Sequence, residues 1–284
     1  MWYFFITVGV FAAVLLLSLV MVHLGFRVPP NPETADPGRL GLVFQTVSIP
    51  TVSQKRLFGW LLPVPGARST MVILHGWGGN AEQMLPMALP FHRAGMNVLL
   101  VDARNHGRSD RDGYSSLPRF ADDLEKSIEW LRQTHPECSR KIALLGHSVG
   151  GGAVLFAASR RSDIGAVISV SAFAHPKWMM RRFLKQVHVP ALLSTFVIRY
   201  VEWLIGYRYD KIAPLNTICH IKCPVLLVHG GVDRTVPVED AMSIKQGCSR
   251  PYIKLLIVES AGHESVEKIR AHEGELVQFL KESG

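Results

Sequence analysis

The chain has 284 residues, 48% of them hydrophobic, with a formal net charge of +8 and four cysteines. That length accommodates one large α/β domain with an appendage, and four cysteines are too few for a disulfide framework in a chain of this size. The Lys and Arg residues are scattered and accompany no nucleic-acid motif, which excludes nucleic acid as the expected partner and points the excess charge toward anionic lipid.

From Trp2 to Phe26 there is no Asp, Glu, Lys or Arg. As a helix rising ~1.5 Å per residue, this stretch is long enough to cross a ~30 Å hydrocarbon core. The competing reading is a cleaved signal peptide, but the stretch has no basic n-region, its apolar run exceeds the usual ~7–15 residues, and no A-x-A site follows. Residues 1–27 are therefore expected to form an uncleaved transmembrane anchor. Residues 28–41 carry four prolines and read as a linker. Residues 42–284 then form the folded domain. Arg27 and Arg39 on the C-terminal flank, with no counterpart before the helix, favour a cytoplasmic domain.

Phe44 to Pro50 and Leu57 to Leu62 read as an opening antiparallel pair. Met71 to Leu74 is a buried strand running into His75-Gly76-Trp77-Gly78-Gly79-Asn80, which has neither the G-K-[ST] ending nor the G-x-G-x-x-G spacing of a phosphate loop. A plain strand-to-helix turn is one reading; an oxyanion loop that presents the Trp77 amide is the other. Helix Gln83 to Ala94, strand Asn97 to Val101, helix Phe120 to Arg132 and strand Ala166 to Val170 follow, an alternation that predicts a mostly parallel sheet with helices on both faces. Asp102, Arg104 and His106 are expected to hold a loop at the edge of the site, the aspartate accepting from the turn's own amides.

The most informative stretch is Lys141 to Ala158, where an apolar strand ends at Gly146-His147-Ser148-Val149-Gly150 and a small-residue helix begins. A turn this tight strains its central residue, so glycines flank it two positions away on each side. The strain lifts the Ser148 hydroxyl clear of the sheet and leaves the Val149 amide at the positive end of a helix, suited to a developing oxyanion. Such a serine needs a base and an acid to orient it. Of the 12 histidines, His263 follows the strand Ile253 to Val258, and Asp233 follows the strand Val225 to His229, so both emerge at the sheet edge where Ser148 does. His147 adjoins the nucleophile, with its side chain expected to point away, and His272, Asp240 and Glu239 read as surface residues. Cys219, His220 and Cys223 have loose metal-ligand spacing but neither a fourth ligand nor short C-x-x-C pairs, so all four cysteines read as ordinary core or surface residues; no metal is expected.

His75 to Gly79, Asp102 with His106-Gly107-Arg108-Ser109, Gly146 to Gly150, Gly231-Val232-Asp233 and Gly262-His263 together resemble the α/β-hydrolase superfamily, near its small-cap esterase, monoacylglycerol-lipase and lysophospholipase branches. The resemblance runs from about Met71 to the C-terminus and implies a Ser148–Asp233–His263 hydrolase working through an acyl-enzyme, without metal or organic cofactor. The stretch at about 172–216 is longer than one crossover helix requires and is expected to form a cap of two amphipathic helices broken at Pro190. Trp178, Phe183 and Phe196 are its expected substrate-binding residues, and Lys177, Arg181, Arg182 and Lys185 form a basic cluster that either supports the cap or rests on anionic headgroups. The expected function is hydrolysis of carboxylic esters of acyl-lipid type at a membrane. The alternatives are an amidase or peptidase on the same scaffold, distinguished by an acidic or aromatic specificity pocket, and a non-enzymatic binding protein on a hydrolase fold.

Overall fold

The computed structural model describes residues 1–283. The chain opens with helix α1, Trp2–Gly25. The expected anchor falls on this helix; the side chains at 11, 12, 14–19, 21 and 22 lie outside the described residues. Among the described residues, no helix is long and apolar enough to cross a membrane.

Strands β1 (Gln45–Pro50) and β2 (Arg56–Leu62) pair antiparallel, and β2 pairs antiparallel again with β4 (Asn97–Val101). Strand β3 (Ser69–Leu74) lies between β4 and β5 (Lys141–His147), and β6 (Ala166–Val170), β7 (Val225–Gly230) and β8 (Ile253–Val258) complete a sheet of order β1-β2-β4-β3-β5-β6-β7-β8, parallel from β4 onward. The central strands read as unbroken apolar runs because the sheet is covered on both faces. Side chains alternate between two cores. Val72, Leu74, Leu144 and Val167 point into one, and Met71, Ile73, Leu145 and Ile168 into the other.

Helices α2 (Leu85–Arg93), α3 (Leu117–Thr134) and α4 (Val149–Arg160) are the crossovers of this sheet. Ser116 caps α3, accepting from the Arg119 amide. The cap consists of α5 (Pro176–Gln186) and α6 (Ala191–Ile205), separated at Pro190 as its fixed φ and missing N–H dictate. Short turns α7 (Tyr209–Ile212) and α8 (Pro214–Thr217) lead back to β7, and α9 (Val238–Gln246), α10 (Val266–Arg270) and α11 (Glu273–Glu282) finish the chain.

Two features depart from the sequence reading. Cys219 and Cys248 form a disulfide across 29 residues, joining the turn before β7 to the end of α9, so two of the four cysteines are neither ordinary nor free. Asp240 is 3% exposed rather than on the surface. Its Oδ2 accepts from the Ala174 amide at 2.9 Å, and Arg182 of α5 grips both carboxylate oxygens at 2.9 and 2.8 Å.

Candidate active site

Ser148 sits at φ 55°, ψ −117°, a conformation an L-residue adopts only when its surroundings impose it. The imposition is visible on both sides. A Cβ on Gly146 would lie 2.2 Å from the Gly150 carbonyl oxygen, and one on Gly150 would lie 2.3 Å from that of His75. The Ser148 amide donates to the Val170 carbonyl at 2.8 Å, tying the turn to β6. The elbow thus exists because glycines let β5, β3 and α4 approach closely.

The loops after β7 and β8 bring the expected partners to this serine. His263 Nε2 is 3.0 Å from Ser148 Oγ, and His263 Nδ1 is 2.7 Å from Asp233 Oδ2. With the carboxylate facing Nδ1, the proton belongs on that nitrogen, leaving Nε2 to accept from the serine. Asp233 Oδ1 accepts the amides of Thr235 and Val236 at 2.9 and 2.8 Å. Burial works against its charge, yet the His263 hydrogen bond and the Val236 amide win, and its pKa lies below the usual carboxylate range.

His147 does point away from Ser148, but it is not idle. Its Nε2–H donates to the backbone carbonyl of His263 at 2.8 Å, fixing the loop that carries that imidazole. Burial lowers its pKa, which keeps it a neutral single donor. The sequence offered no signal for this contact, because it joins residues more than a hundred positions apart.

Trp77 and Val149 both face the space above Ser148. Val149 N–H belongs to the first turn of α4, where no intrahelical acceptor exists. Gly76 packs so tightly that a Cβ there would come within 3.2 Å of Ser148 Cβ, which sets the residue before Trp77 against the elbow. The loop is braced from behind by His75. Its Nδ1–H donates to the Gly76 carbonyl at 2.6 Å, and its Nε2 accepts the Ala103 amide at 3.1 Å. Burial, reinforced by neighbouring His106, lowers the His75 pKa to about 3, so the neutral tautomer persists. Asp102 braces the same region, accepting Ala81 N–H at 2.7 Å and Arg108 N–H at 2.8 Å. One donor is the turn's own amide, as expected; the other comes from the loop after β3.

A cavity of about 760 Å³ opens on Ser148. Its α5 wall is the stripe Pro176, Met179, Met180, Phe183, Leu184 and Val187, and its α6 wall is Leu193, Val197, Val201 and Ile205. Among its described lining residues, which also include Gly25, Phe26, Ser116 and Tyr209, none is Asp, Glu, Lys, Arg or His. Of the three expected substrate-binding residues, Phe183 lines this space and two do not. Trp178 stacks on the His175 ring at 5.7 Å between centroids, and Phe196 is 61% exposed on the outer side of α6. A second groove of about 690 Å³ lies at the opposite, N-terminal edge of the sheet, among Pro63, Arg68, Asn97 and Arg140, with none of the triad in its wall.

An eight-stranded sheet of this order, with a serine on a strained strand-to-helix turn and a histidine and aspartate after the last two strands, defines an α/β-hydrolase. A family model described as serine aminopeptidase, S33, matches residues 65–217, just over half of the chain. The chain belongs to that hydrolase family. It is 26% identical to an esterase of Pyrococcus furiosus, Pf2001, whose solved structure superposes with a TM-score of 0.75 over 90% of this chain and 97% of that one. The uncharacterized protein YfhR of Salmonella typhimurium is 24% identical over 264 residues, 86% of this chain and 84% of its own. Protein bem46 of Schizosaccharomyces pombe is 28% identical over 207 residues, 71% of this chain and 64% of its own.

Proposed function

We propose that this chain is a membrane-anchored serine hydrolase of carboxylic esters with apolar acyl groups. The observation that carries the reading is the placement of Ser148 Oγ, 3.0 Å from His263 Nε2, at the floor of a cavity whose described lining residues bear no charge. Ser148 Oγ attacks the ester carbonyl while His263 Nε2 takes its proton, and Asp233 holds the resulting imidazolium. The oxyanion is received by the Trp77 and Val149 amides. Collapse breaks the carbon–oxygen bond to the alcohol, which leaves with the proton from His263. Water then attacks the acyl-enzyme, giving its proton to His263, and the returned serine and free acid complete the cycle.

The family's description raises the peptidase alternative. An aminopeptidase must hold a substrate ammonium, and a buried cation needs a carboxylate partner. None stands among the described lining residues, and the apolar wall suits an acyl chain. The Pyrococcus neighbour, itself named an esterase, points the same way.

The run from Trp2 to Phe26, without Asp, Glu, Lys or Arg, supports the anchor. On which side the domain lies, two observations oppose each other. The Arg27 and Arg39 flank favours the cytoplasm, whereas the Cys219–Cys248 disulfide favours an oxidising compartment. Two flanking charges are the weaker constraint, and we place the domain on the oxidising side. Alkylation of intact cells with a membrane-impermeant thiol reagent, with and without prior reduction, tests it: labelling at Cys219 and Cys248 only after reduction supports the assignment.

The deciding experiment for function is turnover of p-nitrophenyl esters of graded chain length beside aminoacyl-p-nitroanilides, by the full chain and by Ser148→Ala. The expected result is ester turnover that rises with chain length, since each buried methylene contributes up to ~0.8 kcal/mol or about fourfold, and that vanishes in the variant. Preference for the anilides, or turnover retained without Ser148, overturns the reading.

A further inference from the structure

The family match begins at residue 65, yet the active site extends well upstream of it. After α1, the chain does not hang free but crosses the oxyanion loop. Phe26 enters the cavity wall, and its ring meets Trp77 edge-to-face at 6.0 Å. Its carbonyl accepts the Ser115 amide at 3.0 Å. Asn31 Nδ2 donates to the Gly78 carbonyl at 2.8 Å, and Asn80 Nδ2 donates back to the Asn31 carbonyl at 3.0 Å. Glu82 Oε2 accepts the Thr34 amide at 2.6 Å and the Ala35 amide at 3.2 Å.

All but the Ser115 contact fall on the stretch from Trp77 to Glu82. Gly78 lies in the left-handed region at φ +72°, with open space where a Cβ would stand. It follows directly on Trp77, whose amide receives the oxyanion in the proposed reaction. The turn is closed from within by the Gly79 amide on the Gly76 carbonyl at 3.1 Å, and its Gly78 carbonyl is held from outside by Asn31. Asn31 engages the turn at Gly78 through its side chain and at Asn80 through its carbonyl, on both sides of Gly79.

We propose that residues 26–35 are a positioning segment of the active site, with Asn31 holding the oxyanion loop and Phe26 setting the cavity wall, so that the segment joining the membrane helix to the domain completes the catalytic machinery. This rests on the serine-hydrolase reading. Asn31 touches no reacting atom; it acts through Gly78 on the Trp77 amide. Removing an oxyanion donor outright costs about 10²–10³ in kcat, and loosening one costs a part of that.

The test uses the full chain in detergent micelles with p-nitrophenyl acetate and p-nitrophenyl octanoate. Asn31→Ala is expected to lower kcat on acetate roughly tenfold with KM and the pH profile unchanged, because the base and the cavity are untouched. Asn31→Asp, which sets a carboxylate against the Gly78 carbonyl, is expected to lose more, and Asn31→Gln, which restores a donor, to recover part of the loss. Phe26→Ala is expected to reduce the octanoate-to-acetate ratio of kcat/KM. Wild-type kcat in both Asn31→Ala and Asn31→Asp overturns the proposal, as does a loss that Asn31→Gln does not relieve. Ser148→Ala in the same assay separates the two failures: if it remains active, the serine-hydrolase reading falls; if it is dead while the Asn31 variants are normal, only the positioning role falls.

Discussion

The catalytic edge of the sheet and the cap above it are held by different physics. At the edge, the triad's own bonds aside, the backbone is always one partner, packed against backbone at the elbow and bonded by the side chains of His75, Asp102 and His147 around it. Gly146 and Gly150 admit no Cβ, Ser148 is strained, and Asp233 is fixed by two amides of its own turn. In the cap, side chains do the fastening: Arg182 to Asp240, His175 Nε2 to Asp210 at 3.0 Å, and buried Glu202 to the Tyr209 amide at 2.9 Å. The inner faces of α5 and α6 close the cavity, while Phe183, Leu192, Phe196 and Trp203 remain exposed outside or at the rim. Backbone fixation leaves chemistry little room to vary. Side-chain fixation lets specificity change one residue at a time.

The largest effect that tests this contrast is at the edge. His263→Ala and Asp233→Ala are each expected to lower kcat by roughly 10³-fold or more, and the double variant little further, because the triad acts as a unit; steady-state kinetics on a short ester measures this, and additive losses would contradict it. Next is the disulfide, a covalent fastening that neither region's scheme includes. Cys219→Ser with Cys248→Ser opens a loop spanning 29 residues, expected to cost about 3–4 kcal/mol from chain entropy, and a denaturant titration with and without reductant reads it.

A smaller effect separates Arg182 from its basic neighbours. Arg182→Ala leaves the nearly buried Asp240 without its cation and is expected to destabilise the protein by about 2–3 kcal/mol and to lower turnover of long esters more than of short ones. Arg181→Gln with Lys185→Gln is expected to leave stability alone and reduce turnover only on anionic vesicles, less so at high salt. The basic cluster is thus divided, Arg182 seating the cap while Arg181 and Lys185 stay exposed.

The smallest effect concerns Glu33 of the linker, whose two carboxylate oxygens are buried. Burial, then the Glu33 carboxyl beside it, raises the Asp102 pKa well above the usual carboxylate range. The folded state therefore holds a proton that the unfolded chain releases, and stability declines as pH climbs from the ordinary carboxylate pKa to the raised one. Glu33→Gln removes the repulsion and offers a donor, so its melting temperature is expected to exceed the wild type's at neutral and alkaline pH and to converge with it in acid. Parallel curves would show that the two carboxyls do not interact.

The sequence by itself determined the strands, the elbow and the order Ser148, Asp233, His263, because each rests on local rules: apolar runs of strand length, glycines where backbones must touch, and loops that leave parallel strands at one edge. β4 and β8 occupy the spans the sequence predicts, Asn97–Val101 and Ile253–Val258. Tertiary structure alone decided which residues of α6 face the cavity, whereas α5 carried part of the answer in its period. On α5 the inner stripe at 176, 179, 180, 183, 184 and 187 was readable as a helical period, and Trp178 falls outside it. On α6 both faces are apolar, and Phe196 stands about 100° from Val197, so only the position of the neighbouring elements could choose between them. The disulfide, the His147 tie to His263 and the hold of Asn31 on Gly78 join residues 29, 116 and 47 positions apart. No period or spacing encodes such contacts, because they exist only once the sheet has brought its loops to a common edge.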